Sequence, residues 1–260
     1  MLLIKLKRAL LIVDRGSREP EVNQELFEIC SLLKLKGHYD YSNYCFLEVL
    51  PPFIEEGIKK CVQNGSVFIT IIPYFLYPGL KLKEAVKRSA IICKNQKLRI
   101  GIAKPLCYHY LLSELIVERI SETKIKNNIS LKDKECDILV IGHGSSDKRA
   151  RDAFVHTVGS LKRSYHSVSF CFLELDEPNI EKAITKIVSQ GPKTLLIMPY
   201  FLHKGSHIKH DVAQEVRSAL VKNNFKKAFL SRHLGVDKKL VELVLQRALE
   251  VEKRSGLKQD

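Results

Sequence analysis

Hydrophobic and polar positions fall into a regular order in the second half of the chain. Residues 138–141 are a continuous apolar run, as expected of a strand buried on both faces. Ala153, Val158 and Leu161 then recur at helical spacing. Residues 168–173 read as a strand, Ile180, Ala183, Ile184, Ile187 and Val188 as one face of a helix, and residues 194–198 as a third strand. A short strand around residues 228–231 precedes a last helix over 238–251. Strands that alternate with helices pair in parallel through right-handed crossovers, which predicts an α/β fold with an open, mostly parallel sheet flanked by helices. Ligands of such sheets collect beyond the carboxyl ends of the strands, so the residues just after each strand carry the interest.

The first half repeats this order. The stretch "CFLEVLPPFIEEGIKKCVQNGSVFITIIPYFL", residues 45–76, aligns without gaps to "CFLELDEPNIEKAITKIVSQGPKTLLIMPYFL", residues 171–202, with 16 identities in 32 positions. Unrelated segments share about two at ordinary residue frequencies. The match extends back to "LLIVDRGSRE" (10–19) over "ILVIGHGSSD" (138–147), and forward to "ELIVERI" (114–120) over "ELVLQRA" (242–248). The chain is two copies of one unit. The lysine-rich "SETKIKNNISLKDKE", residues 121–135, reads as a helix end followed by a linker and places the boundary at 1–128 and 129–260.

Composition narrows the class. No apolar run approaches the roughly 20 residues that span a bilayer. The opening "MLLIKLKRALLIV" has a signal-peptide flavour but no small-residue cleavage site, and its apolar end matches a core strand of the second copy. The seven cysteines lack CxxC pairs, and Cys45, Cys136 and Cys171 sit in or beside apolar strand patterns, which suits burial and a reducing cytoplasm. The net charge of +14 attracts acidic molecules, but lysine and arginine are dispersed and no nucleic-acid motif accompanies them, so no nucleic-acid partner is expected. The motif of a nucleotide-phosphate loop is missing, as are the dinucleotide fingerprint and the G-x-S-x-G elbow, so no nucleotide cofactor is expected.

Comparison of the copies isolates the chemistry. Gly16 and Ser17 match Gly144 and Ser145, but Arg15 stands opposite His143. After the third strand "PYFLYPGLKLKEAV" (73–86) matches "PYFLHKGSHIKHDV" (199–212), so Tyr77, Lys81, Glu84 and Ala85 stand opposite His203, His207, His210 and Asp211. Seven of the nine histidines lie at or after residue 143. Two histidines on two strand-end loops of one sheet can converge, and neutral imidazole both ligates a divalent metal and accepts a proton. His143 and His207 are therefore the candidate pair. His156, His166 and His233 read as solvent-exposed loop histidines. His203, His207 and His210 form an HxxxHxxH cluster, but Gly205 starts the helix only near Ser206 and separates His203 from the other two. Glu48 and Glu174 end the shared "CFLE", and either cap the following turn or, in the second copy, bring a carboxylate to the same sheet edge.

The set "LVIGHGSSD", "FLELDEPNI" and "PYFLHKGSHIKHDV" resembles the sirohydrochlorin chelatases, the ATP-independent class II cobalto- and ferrochelatases of the CbiX/SirB type, in their long two-repeat form. The resemblance implies insertion of Co²⁺ or Fe²⁺, with Ni²⁺ behind them, into the acidic tetrapyrrole sirohydrochlorin. It further implies His143 and His207 as catalytic and metal-binding residues and Glu174 as a further metal partner. Glu177, Leu202, His203, Lys204, Gly205, Ser206 and His207 fall on substrate-contacting positions. A monomer whose two repeats mimic a dimer is implied, with one active site in residues 129–260; the first repeat is a remnant, or holds substrate carboxylates through Arg15 and Lys81. A non-catalytic metal or tetrapyrrole carrier, or a chelatase for another porphyrin, are the alternatives. Insertion must remove two pyrrole protons, and imidazoles of pKa about 6.5 suit a site that holds the metal and takes protons. A carboxylate-rich ring also gives the positive charge a use, with Lys204 and Lys209 beside the loop.

Overall fold

The structure is a computed structural model and describes residues 7–95, 98–205 and 207–256, apart from the side chains of 95 and 207–209. Each repeat begins as expected. In the first, β1 (Arg8–Asp14), α1 (Pro20–Gly37), β2 (Tyr41–Phe46), α2 (Ile54–Gln63), β3 (Phe68–Pro73), α3 (Leu80–Asn95) and β4 (Arg99–Ile102) build a parallel sheet in the order β2-β1-β3-β4. After α4 (Tyr110–Lys126), the second repeat gives β5 (Asp137–Gly142), α5 (Lys148–Gly159), β6 (Ser167–Phe172), α6 (Ile180–Val188), β7 (Leu195–Pro199), α7 (Ala213–Lys222) and β8 (Ala228–Leu230), in the order β6-β5-β7-β8. The last helix is α8 (Lys238–Arg254).

Local chemistry sets the boundaries. Pro20 opens α1, where its missing N–H would have had no intrahelical partner, and His38 ends it in the left-handed conformation at φ 52°. Asp147 caps α5 by accepting from the Arg149 N–H, and Asn179 caps α6 by accepting from the Lys182 N–H. Every residue of β3, β5 and β7 is buried, which is why these strands read as continuous apolar runs rather than alternating ones. Helices cover them: Ile180, Ile184 and Ile187 of α6 pack with Leu139, Ile141 and Cys171 of the second sheet. All seven cysteines are buried and unpaired, and burial pushes the thiols of Cys30 and Cys61 up to about 12.

The compact units do not follow the repeat boundary at 128/129. One unit comprises the described residues up to Cys107 together with those from Leu240 onward; the other runs from Tyr108 to Lys239. Each repeat thus contributes its last helix to the unit built on the other repeat's sheet. Helix α8 belongs to the first unit, where the fully buried Glu252 accepts from Tyr39 Oη at 2.7 Å, Thr70 Oγ1 at 2.6 Å and Arg8 Nη1 at 2.8 Å. Helix α4 belongs to the second, where Arg119, with no exposed surface, donates from Nη2 to Leu234 O at 2.6 Å and to Asp237 Oδ2 at 2.9 Å. Its Nε reaches the carbonyls of His233 and Leu234, and its Nη1 reaches Glu122. This corrects the reading of His233 as a solvent-exposed loop residue: it is buried, in the segment that Arg119 holds.

Candidate metal centre

In the order β6-β5-β7-β8 the chain leaves β5 toward β6 on one side and returns to β7 on the other, so the direction of winding reverses between β5 and β7. The ends of those two adjacent strands flank the crevice where open parallel sheets bind ligands. His143 directly follows β5. A π-helical turn, His207–Val212, leads from the loop after β7 into α7, and His207 is its first residue; at the matching place in the first repeat α3 starts as an ordinary α-helix. Glu174 lies just after β6. His143 and Glu174 therefore closely follow the ends of two neighbouring strands, and His207 follows the loop after a third.

The loops continue the strand pairing past the sheet. Leu173 N–H donates to Gly142 O at 2.9 Å, Glu174 N–H to His143 O at 3.0 Å, and Tyr200 N–H to Ile141 O at 2.8 Å. Gly144 makes the turn possible. It sits at φ +94°, and a Cβ added there would collide with the Glu174 carbonyl. Gly144→Ala should therefore lower stability by about 1–3 kcal/mol and displace His143 from Glu174; chemical denaturation together with Co²⁺ affinity would check this.

His143 Nε2 stands 3.7 Å from Glu174 Oε1, and its Nδ1 is 3.2 Å from Gly144 O. The carboxylate is 44% exposed and the imidazole 27%, with the Nε2 atom itself buried on the side of Glu174. Phe201, with its ring centroid 6.3 Å from that of His143, supplies an apolar wall. The separation is too long for a hydrogen bond. It fits two donors on one ion: metal bonds of about 2.1 Å to nitrogen and oxygen subtend an angle of roughly 120° across it. Among the described residues no set of three histidine, cysteine, aspartate or glutamate side chains is grouped to hold an ion; the His207 side chain lies outside the description. Burial, then the charges of Asp211 and Glu174, raise the pKa of Glu215 on α7, which places several carboxylates in one region whose field favours a cation.

The other expected site residues divide. Leu202 and His203 are half-buried and Lys204 is exposed in the loop after β7, Gly205 has open space where a Cβ would be, and Ser206 lies outside the described residues. That loop is fixed from behind, since the Leu234 and Gly235 N–H groups donate to Phe201 O at 3.0 Å and Leu202 O at 3.1 Å. Glu177 follows β6 too, but its carboxylate accepts from Lys182 Nζ at 2.8 Å and Asn179 N at 3.0 Å, which lowers its pKa. Two residues that sequence reasoning passed over support the site. Arg151 pairs with Asp176, donates to Glu177 O and lies 5.2 Å over the Phe172 ring, fixing the loop that carries Glu174 and Glu177. Arg119 holds the segment to which the 201–202 backbone is tied. Its signal was in the repeat, because "ELIVERI" over "ELVLQRA" sets Arg119 on Arg247.

An open, doubly wound parallel sheet with His143 and Glu174 after adjoining strands, in a unit that occurs twice, sets the chain among the α/β proteins with a ligand crevice at the carboxyl edge of the sheet. The sequence model of the CbiX family matches residues 9–123 and again 137–251, and the chain belongs to that family. Among curated proteins it is similar to the sirohydrochlorin cobaltochelatase of Priestia megaterium, 26% identical over 94% of this chain and 79% of that one. It is also similar to the sirohydrochlorin ferrochelatase of Bacillus subtilis, 23% identical over 94% of this chain and 92% of that one. The solved structure of SirB from Bacillus subtilis with Fe³⁺ shares the fold, with a TM-score of 0.83 at 22% identity over 98% of this chain and all of that one. No helix among the described residues is long and apolar enough to cross a membrane.

Proposed function

We propose that this chain is a class II chelatase that inserts Co²⁺ or Fe²⁺ into sirohydrochlorin, without a nucleotide, in cobalamin or siroheme biosynthesis. The observation that carries the reading is the His143–Glu174 pair, spaced for one ion at the end of β5, with His207 heading the turn after β7. The names of the relatives supply the ring. His143 and His207 hold the metal with Glu174, and each imidazole that gives up the metal is free to take a pyrrole proton. Two N–H bonds break as the metal–nitrogen bonds form, so the charge lost as protons replaces the charge gained as metal, and no phosphoryl energy is needed. Nitrogen and oxygen donors accept Co²⁺ and Fe²⁺ alike, with Ni²⁺ behind them. The loop Leu202–His207 and Glu177 face the ring in this reading, and the net charge of +14 draws its carboxylates in.

The active site lies in the C-terminal repeat, 129–260, and the first repeat, 1–128, has no metal chemistry. The protein works in the cytoplasm as a single chain with pseudo-dimeric repeats and has no nucleic-acid partner. The test is a single-turnover absorbance measurement with purified protein, sirohydrochlorin and Co²⁺ or Fe²⁺. The expected result is the spectrum of the metallated ring, formed faster than without protein. A ring that binds but stays unmetallated would make the chain a carrier, and insertion into a porphyrin in preference to sirohydrochlorin would reassign the substrate.

A further inference from the structure

The first unit repeats the backbone of the metal centre almost bond for bond. Leu47 N–H donates to Asp14 O at 2.8 Å, Glu48 N–H to Arg15 O at 3.1 Å and Tyr74 N–H to Val13 O at 2.9 Å, the counterparts of the three bonds that frame His143 and Glu174. Gly16 makes the same turn at φ +102°, and a Cβ there would strike the Glu48 carbonyl. The turn after the first strand is shared and its side chains differ, while Lys81 stands in the first turn of the α-helix α3, where the second repeat has the π-helical turn that begins at His207. Arg15 Nε lies 2.9 Å from Glu48 Oε1, and Lys81 Nζ lies 2.5 Å from Glu48 Oε2. Glu84, which stands opposite His210, adds a carboxylate 3.6 Å from Lys81.

We infer that the first unit holds a metal site whose ion has been replaced by the chain's own cations: Arg15 and Lys81 stand at the ligand positions, close on Glu48, and exclude divalent metal. Histidine at both positions turns this unit into a second metal site. The inference rests on reading His143, Glu174 and His207 as metal ligands.

Guanidinium and ammonium groups have no lone pair to give a metal, and they occupy both oxygens of the Glu48 carboxylate. The hydrogen bond from Lys81, then that from Arg15, lowers the Glu48 pKa, and Glu48 in turn raises that of Lys81, so this pair keeps its charges near neutral pH. Arg15 is 57% exposed and Lys81 44%, and ion pairs that open to water add little stability. The triad is therefore not needed to hold the fold. Lys81 also shows the direction of its position: its side chain runs toward the glutamate that follows the first sheet's edge strand β2.

Equilibrium dialysis of the full chain against Co²⁺ tests this. The wild type should bind one ion and Arg15→His/Lys81→His two. His143→Ala/His207→Ala should bind none, and the four substitutions together one. A folded Arg15→His/Lys81→His chain that gains no ion, in either background, would overturn the inference. An ion retained by His143→Ala/His207→Ala would instead overturn the site under the proposed function, so the two failures read separately. Should the double histidine chain not fold, Glu48→Gln in the otherwise unchanged protein decides: ion count and affinity should stay as in the wild type, and loss of an ion would show that the first unit binds metal already.

Discussion

His143→Ala should slow metal insertion by about 10²–10⁴-fold, the usual worth of a positioned acid–base group. The loss has two sources, a proton acceptor beside the ring and one donor on the ion, so Co²⁺ affinity should fall with the rate. His207→Ala should act in the same direction, and the double variant should lose far less than the product of the two, because both residues serve one ion. Stability offers the control. The imidazole is part-exposed at a strand end, its removal opens no core cavity, and the unfolding free energy should move by no more than about 0.5 kcal/mol. Arg15→Ala should leave the insertion rate near that of the wild type, since Arg15 pairs with Glu48 and touches no proposed ligand. Stopped-flow absorbance with Co²⁺ and sirohydrochlorin reads all four chains. A His143→Ala chain that is folded and fully active would remove the site.

The strands were legible because they are buried on both faces. The run at 138–141 lies inside β5, that at 168–173 covers most of β6, and 194–198 overlaps β7. Helix α6 spans the residues whose apolar spacing announced it. The place of His143 and Glu174 was legible for a related reason: a strand that ends in a glycine turn delivers the next side chain to the sheet edge, and the repeat showed which side chains vary there. The partner of each last helix was not legible. Apolar spacing in "ELIVERI" and "ELVLQRA" shows that α4 and α8 bury a face, but the two sheets are copies, and a face that fits one fits the other. What distinguishes them is polar: Glu252 of α8 meets Tyr39, Thr70 and Arg8, and the residue at its place in α4 is Lys124, which pairs with Asp133. Hydropathy is silent on such partners. His233 was misread because exposure was judged from its own polarity, whereas its burial follows from an arginine more than a hundred residues away. The π-helical turn at His207–Val212 also escaped notice, since a single turn with i→i+5 bonding is too short to set an apolar period of its own.

Arg119→Ala should cost about 3–5 kcal/mol, the loss expected when one partner of a buried ionic network is removed. The guanidinium serves Leu234 O through two nitrogens, His233 O, Asp237 and Glu122, and has no exposed surface. Truncation leaves two carbonyls and the Asp237 carboxylate, whose side chain is only 10% exposed, short of a donor. Lysine should rescue little, since one ammonium cannot reach groups that a planar fork meets in several directions. Arg247, at the matching place in α8, donates to Cys107 O and Glu250 with two nitrogens, so Arg247→Ala should cost less. Urea denaturation of the three variants measures the order. The effect should also reach the centre. The 233–235 segment that Arg119 holds donates two hydrogen bonds to Phe201 O and Leu202 O, and those residues lead into the loop that ends at His207. A chain with Arg119→Ala, assayed cold enough to stay folded, should therefore bind sirohydrochlorin less tightly and show a raised KM, with a smaller change in kcat. A merely structural arginine would lower stability and leave KM where it was.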